Sequence, residues 1–326
     1  MKLLVLGKNF DTTITAGSNI SLASSLSKLL ITEFCERKNP AGFIAIDYGK
    51  KFLEEARNLG LLENKSCLIR MEPSVVCPSN AVDCNESFGL IFDVGRDPLV
   101  NKHASPWPQN WDLTYLNSTS INEKLECGEN IVLVNGNKYS SISGELYSLR
   151  RKCAHGIDSL DVYGTNWNRG LLFNLKSLLG DGFIGLKAGH FPSRKSVAYL
   201  FKRIPNWKGS PKNKLQTMSR YKFSLVIENS EEFLSEKLFD SFFSGCVPIY
   251  VGPDTSHFGI PSNLVIQVRP GLEDIATGIE MAKSLDYESW LINLKSWLND
   301  PKTEQEWSAN YVFDRMANSI KTFMAG

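Results

Sequence analysis

The stretch from Tyr221 to Pro253, YKFSLVIENSEEFLSEKLFDSFFSGCVPIYVGP, leaves few folds open. Phe223 to Ile227 is a short apolar run rich in β-formers, the length of one buried strand. Glu228-Asn229-Ser230 ends it. Leu234, Leu238 and Phe242 then fall four apart with Phe239 and Phe243 beside them, an apolar stripe at helical spacing. Ser230 or Ser235 is suited to cap the start of that helix, and Gly245 ends it. Cys246 to Val251 reads as a second buried strand, closed by Gly252-Pro253. Strand, helix and strand in this order form the repeating unit of a parallel α/β sheet.

The polar residues of this unit fall where α/β sheets bind ligands. Glu228, Asn229, Ser230, Glu236 and Lys237 lie at the carboxyl end of the first strand or at the helix start. Free N–H groups and partial positive charge at a helix N-terminus suit a diphosphate, and Lys237 adds a full charge. An ordinary loop, with carboxylates favoured by the helix dipole, would look the same by pattern alone.

The same residues resemble the donor-binding motif of the α-1,3/1,4-fucosyltransferases, glycosyltransferase family 10. Tyr221-Lys222-Phe223, Glu228-Asn229-Ser230, Glu236-Lys237 and Val247-Pro248-Ile249 match its successive pieces. The loop between Asn229 and Glu236 is shorter than in several members. Phe233 stands where some place a tyrosine, and Ser235 replaces a threonine. The resemblance implies that Glu228, Asn229, Ser230, Glu236 and Lys237 bind a GDP-fucose donor. Arg150 and Arg151, on a helix expected around Gly144 to His155, are its candidates for contact with the diphosphate. Apolar Cys153, Ala154 and Ile157, at +3, +4 and +7, fit Arg150 best.

In the first half, apolar runs at Lys2–Leu6, Phe43–Ile46, Cys67–Met71 and Phe88–Val94 alternate with helical patterns at Leu22–Phe34 and Lys51–Leu59. This is the β/α order of a Rossmann-like domain. Glu72 directly follows a buried strand, at the sheet rim, and Pro73 restricts its backbone. Such a residue is often only a solvated turn carboxylate. Met71-Glu72-Pro73-Ser74 followed by Pro78 resembles the acidic element of the same family, which implies that Glu72 is the general base.

Residues 101–128, polar and rich in Pro and Trp, are expected to form a hinge, with His103, Trp107 and Trp111 either on an acceptor site or packed over the core. Further strands are expected at Ile131–Val134, Leu160–Tyr163 and Leu264–Val268, and helices at Leu285–Leu298 and Glu304–Phe323. In two-domain folds of this kind the terminal helix often crosses back to the first domain.

Composition sets the outer bounds. The chain has 326 residues, enough for two medium domains, and a net charge of +1, too small for a general pull toward nucleic acid. Lys187 to Lys222 nevertheless holds ten Lys or Arg and no Asp or Glu. That run is a solvated face, an anion-attracting approach to the diphosphate site, or a peripheral membrane contact. Seven cysteines show no metal spacing, as expected of reduced thiols in the cytoplasm. Nothing resembles a signal peptide or a transmembrane span, and the four N-x-S/T sequons are read as coincidental. No D-x-D pair occupies a plausible metal-binding loop, so no metal is obligatory, and a divalent cation would at most stimulate.

These readings converge on an α/β fold of two Rossmann-like domains facing a cleft, the GT-B type. Residues 1–128 would form the acceptor domain and 129–326 the nucleotide-sugar donor domain. The resemblance implies inverting transfer of fucose from GDP-fucose to a sugar hydroxyl of a glycan acceptor, α-1,3 foremost, by a soluble bacterial-type enzyme. The alternatives are a GT-B transferase using another nucleotide sugar and an inactive glycan-binding homologue.

Overall fold

The computed structural model describes residues 2–7, 33–34, 40–61, 63–81, 87–167 and 204–326. The chain divides into two compact units, residues 1–111 with 299–326, and residues 112–298.

The first unit carries a six-stranded parallel sheet. Its strands are β1 (Lys2–Gly7), β2 (Glu33–Phe34), β3 (Gly42–Ile46), β4 (Glu63–Arg70), β5 (Phe88–Val94) and β6 (Ala104–Ser105), in the spatial order β2-β1-β3-β4-β5-β6. Helix α1 (Lys50–Asn58) is the crossover from β3 to β4. Every residue of β3 is buried, and Phe43, Ala45, Ala56, Leu68, Phe88 and Ile91 pack into one apolar cluster. A strand buried on both faces reads as a continuous apolar run, which is why the sequence located it within one residue.

The second unit begins with two short helices, α2 (Thr114–Ser118) and α3 (Ile121–Glu126), followed by β7 (Ile131–Val134), α4 (Tyr147–Gly156) and β8 (Leu160–Tyr163). Next come α5 (Lys214–Met218), β9 (Phe223–Ile227), α6 (Glu236–Phe243), β10 (Val247–Val251), β11 (Ile266–Gln267), α7 (Leu272–Lys283) and α8 (Tyr287–Leu298). Its five strands are parallel in the order β11-β10-β9-β7-β8. From β7 the chain runs outward to β8 and then crosses to β9 on the other side. The strand order therefore reverses between β7 and β9, the place where open α/β sheets bind ligands. Strands β9 and β10 are fully buried and paired from Phe223–Val247 to Ile227–Val251. Phe239 and Phe242 of α6 pack against Trp297 of α8, the first tilted and the second edge-on, at centroid distances of 6.0 and 5.7 Å.

The expected α/β class and its two parallel-sheet units are borne out. The expected boundary at 128 instead falls inside the second unit. The Lys124 ammonium of α3 is buried there, donating to the carbonyls of Tyr221 at 2.5 Å and Ser244 at 2.9 Å. Those bonds bind 112–128 to the second sheet, where the sequence suggested a hinge.

The C-terminal segment belongs with the first unit. It forms two helices, α9 (Pro301–Trp307) and α10 (Ala309–Ala325), where a single amphipathic helix was expected. Extended backbone at Ser308 breaks it, because Gln109 docks there: its N–H donates to the Trp307 carbonyl and its carbonyl accepts from Ala309 N–H, both at 2.8 Å. Trp107 beside it is buried, so it offers no exposed face for a sugar ring. The expected helix at Leu22–Phe34 lies outside the described residues apart from β2, as do Lys187, Arg194, Lys195, Lys202 and Arg203 of the basic run. Among the described residues, no helix is long and apolar enough to cross a membrane.

Candidate active site

The carboxyl end of β9 gathers most of the residues singled out for donor binding. Glu228 continues the sheet by one residue, its N–H donating to the Val251 carbonyl at 2.9 Å. Its side chain is completely buried. One carboxylate oxygen accepts from Ser235 N–H at 2.9 Å, the other from the Ser235 hydroxyl at 2.6 Å. Ser235 is the N-cap of α6 and accepts from Lys237 N–H and, at 2.8 Å, from Lys237 Nζ. Lys237 Nζ also lies 3.6 Å from Glu228 and 3.3 Å from Glu236. The hydroxyl thus relays between a buried carboxylate and an ammonium, donating to one and accepting from the other.

Glu236 opens α6 with a partly exposed side chain. Burial alone would raise its carboxyl; Lys237 and Lys214 outweigh that and pull it down to about 2. The helix start therefore combines a capped N-terminus, a cation mostly shielded from water and an ionised carboxylate.

Arg150 reaches this loop from α4. Its guanidinium donates twice to the Ile227 carbonyl, at 3.1 and 2.7 Å, and once to Asn229 Oδ1 at 3.0 Å. It lies over the Tyr147 ring, 4.8 Å from the centroid. Burial lowers its pKa, against the opposing pull of Tyr147, Glu228 and Glu236. The approach to α4 is also joined to the loop: Leu146 N–H donates to the Asn229 carbonyl at 3.0 Å, and Glu145 forms a β-bridge with Ser230. Arg151 points elsewhere, donating to the Lys138 carbonyl and sitting near the Tyr139 ring, 5.9 Å from its centroid. Of the two arginines, only Arg150 joins the Glu228–Ser235–Lys237 group.

Of the two cap candidates Ser235 is borne out, and the expected role of Glu228 changes. Ser230 does not cap the helix; Ser235 does, since α6 begins six residues beyond Ser230. Ser230 is buried, and its hydroxyl has no hydrogen-bond partner among the described residues. Glu228 is enclosed by Ser235 and Lys237, so it organises the helix start and exposes no carboxylate to a ligand.

The sequence reading passed over Tyr250 and Gly252 of the same edge. The buried Tyr250 hydroxyl sits so close to Gly252 that a Cβ there would lie 2.4 Å from it and 2.9 Å from Glu228 Cγ. Only glycine lets the chain pass beside both. Gly252-Pro253 after an apolar strand was the available signal, and it was read only as a strand end.

Glu72 lies in the first unit, two residues after β4, half-buried and followed by a buried Pro73. Its N–H donates to Asp47 Oδ1 at 3.0 Å, and its carbonyl accepts from Asn80 Nδ2 at 2.7 Å. Farther along this edge Arg70 pairs with Asp93 at 2.5 Å, and Asn101 donates to Asp93 at 2.8 Å.

No protein-family profile matches the chain. Over 78 residues, 23% of the chain, it is 37% identical to 4-galactosyl-N-acetylglucosaminide 3-alpha-L-fucosyltransferase 9 of Mus musculus and of Homo sapiens, covering 21% of each. Over the same length it is 35% identical to a fucosyltransferase-like protein of Arabidopsis thaliana, covering 14% of it. The matched segment is thus well under a quarter of these relatives' lengths. A crystal structure of an α1,3-fucosyltransferase aligns over 100% of this chain and 90% of its own, with a TM-score of 0.60 and 15% identity. Anabaena HepE, in complex with UDP and glucose, aligns over 99% of this chain and 100% of its own, with a TM-score of 0.55 and 10% identity. The resemblance to the fucosyltransferases is therefore borne out, in sequence over 78 residues and in fold over the length of the chain.

Proposed function

We propose that the protein is an inverting fucosyltransferase that moves fucose from GDP-fucose to a sugar hydroxyl of a glycan acceptor, with α-1,3 linkage. The observation that carries this reading is the Arg150–Asn229 and Glu228–Ser235–Lys237 arrangement at the carboxyl end of β9. Its support from relatives is the similarity to 3-alpha-L-fucosyltransferases, and a solved α1,3-fucosyltransferase with GDP-fucose has the same fold at a TM-score of 0.54.

In this reading residues 112–298 bind the donor and residues 1–111 with 299–326 bind the acceptor. The acceptor oxygen attacks the anomeric carbon of fucose. The bond from that carbon to the diphosphate breaks, and GDP leaves with the electron pair. Glu72 takes the acceptor's proton and later returns it to solvent. Lys237, Arg150 and the start of α6 meet the charge that develops on the leaving diphosphate, and Asn229 and Glu236 hydrogen-bond ribose or fucose hydroxyls. A divalent cation would add to these groups and is not obligatory. The described cysteines are unpaired thiols, which supports a reducing cytoplasmic setting. A peripheral contact of the basic 187–222 segment with the membrane would bring the site to lipid-linked glycans.

GDP release should be followed with GDP-fucose, GDP-mannose and UDP-sugars over a mixed glycan acceptor pool. Fucose-specific release is expected, reduced to a small residual rate in Glu72→Gln. Lys237→Ala should weaken GDP-fucose binding by roughly 10- to 100-fold, the worth of a hydrogen bond to a charged group. Turnover of another donor would move the protein to a different sugar. Release surviving Glu72→Gln would remove Glu72 as base. Glycan binding without turnover of any donor would make it a binding protein.

A further inference from the structure

Three donors converge on one carboxylate oxygen at the edge of the first sheet. Asp47 directly follows β3, and its N–H extends the ladder to the Ile69 carbonyl at 2.8 Å. Its Oδ1 accepts from Met71 N–H at 2.8 Å, Glu72 N–H at 3.0 Å and Asn80 Nδ2 at 2.8 Å. Asn80 is buried, donates from the same nitrogen to the Glu72 carbonyl at 2.7 Å, and accepts from Tyr48 N–H at 2.6 Å. The backbone of Glu72 is thus held on both sides, its N–H by Asp47 and its carbonyl by Asn80. Asp47 makes these bonds from a left-handed conformation, φ 57°, which few residues other than Gly, Asn and Asp adopt readily.

Reversing the chain does not require this. The turn already closes through Val76 and Cys77 N–H groups, both donating to the Pro73 carbonyl at 2.9 Å. The additional bonds fall on the two peptide units that flank Glu72. They orient the Cα–Cβ bond of this half-buried residue.

We propose that Asp47 and Asn80 are positioning residues that hold Glu72 in the orientation needed to take the acceptor proton. This rests on the reading of Glu72 as general base. The two bonds fix the peptide units from which the Glu72 side chain starts, and misplacement by about 1 Å can cost on the order of 100-fold in rate.

The test is a double-mutant cycle on the full chain. Asp47→Gly keeps the left-handed backbone free of strain and removes the acceptor oxygen. It should lower kcat about 100-fold with the KM for GDP-fucose unchanged. Asp47→Asn tolerates the same φ, retains a carbonyl oxygen and should recover most of the rate. In the Glu72→Gln background, Asp47→Gly should cause no further loss, because both changes remove one function. If Asp47→Gly does not fold, Asn80→Ala, expected to cost about 10-fold, is read in the same way. A wild-type kcat in Asp47→Gly, or an equal loss with and without Glu72, would overturn the clamp while leaving Glu72 as base if Glu72→Gln keeps only a small residual rate. Full turnover in Glu72→Gln would instead remove the base assignment, and the clamp with it.

Discussion

The carboxyl edges of the two sheets hold polar residues by opposite means. At β9 the side chains do the work: Glu228 is fully buried, Ser235 links it to Lys237, and Arg150 crosses from another helix to clamp the loop. Charge is concentrated there and largely withdrawn from water. At β3 and β4 side chains hold the backbone: Asp47 and Asn80 fix the peptide units around the half-buried Glu72. The difference suits the two proposed tasks, diphosphate binding at β9 and proton removal at Glu72. A diphosphate needs fixed positive charge in a low-dielectric setting, where attraction is strong and little reorganisation follows binding. A base needs a set direction together with enough solvent to exchange its proton.

The largest effect should separate the two regions altogether. Removing residues 299–326 takes Val312, Phe313, Met316 and Ile320, all buried, from the first unit, where α10 packs on β4. At roughly 1.5–3 kcal/mol for each large side chain, that loss approaches the stability of a whole domain, about 5–15 kcal/mol. Chemical denaturation of the truncated chain should lose one cooperative transition while GDP still binds the other unit. Retention of both transitions would show that the segment contributes nothing to the first unit.

The next effect is confined to β9. Glu228→Ala leaves the Ser235 N–H and hydroxyl without their acceptor and Lys237 without its buried counter-charge. It should destabilise the second unit by about 3–5 kcal/mol, against about 1–2 kcal/mol for Glu228→Gln, which keeps an acceptor oxygen. Urea midpoints of the two variants measure the gap. Equal midpoints would mean that the buried charge is not what the loop depends on.

The smallest effect belongs to the first edge. Burial lowers the pKa of His103, with Asp93 opposing and Lys102 and Arg70 adding to the shift. The unfolded chain therefore binds this proton more tightly than the folded one. Stability should fall as pH drops through the ordinary value of 6.5 and continue falling until the folded group is protonated. His103→Gln should flatten the thermal midpoint between pH 7.5 and 5. An unchanged slope would remove His103 as its cause.

Much of this was legible because it is local. Apolar runs bounded by polar residues marked β5, β7, β8 and β9 to the residue; β7, β8 and β9 are buried along nearly their whole length and so have no alternation to confuse. The same bounding placed Glu72 and Glu228 at strand ends. Asp47 ends a buried strand in the same way and was overlooked, because a single carboxylate in a turn carries no local mark of what it binds. The break at Ser308 was hidden because the helical pattern runs through it and the interruption comes from Gln109, nearly two hundred positions earlier.

By itself, the sequence determined the parallel α/β class, the strands and the polar residues at their carboxyl ends, because periodicity and strand termination depend on near neighbours. Tertiary structure alone decided which of those residues meet. Arg150, and not Arg151, reaches Asn229, and Asp47 with Asn80 encloses the backbone of Glu72. Arg150 and Asn229 are 79 residues apart and Asp47 and Glu72 are 25 apart, and such partners are set by strand order, register and packing.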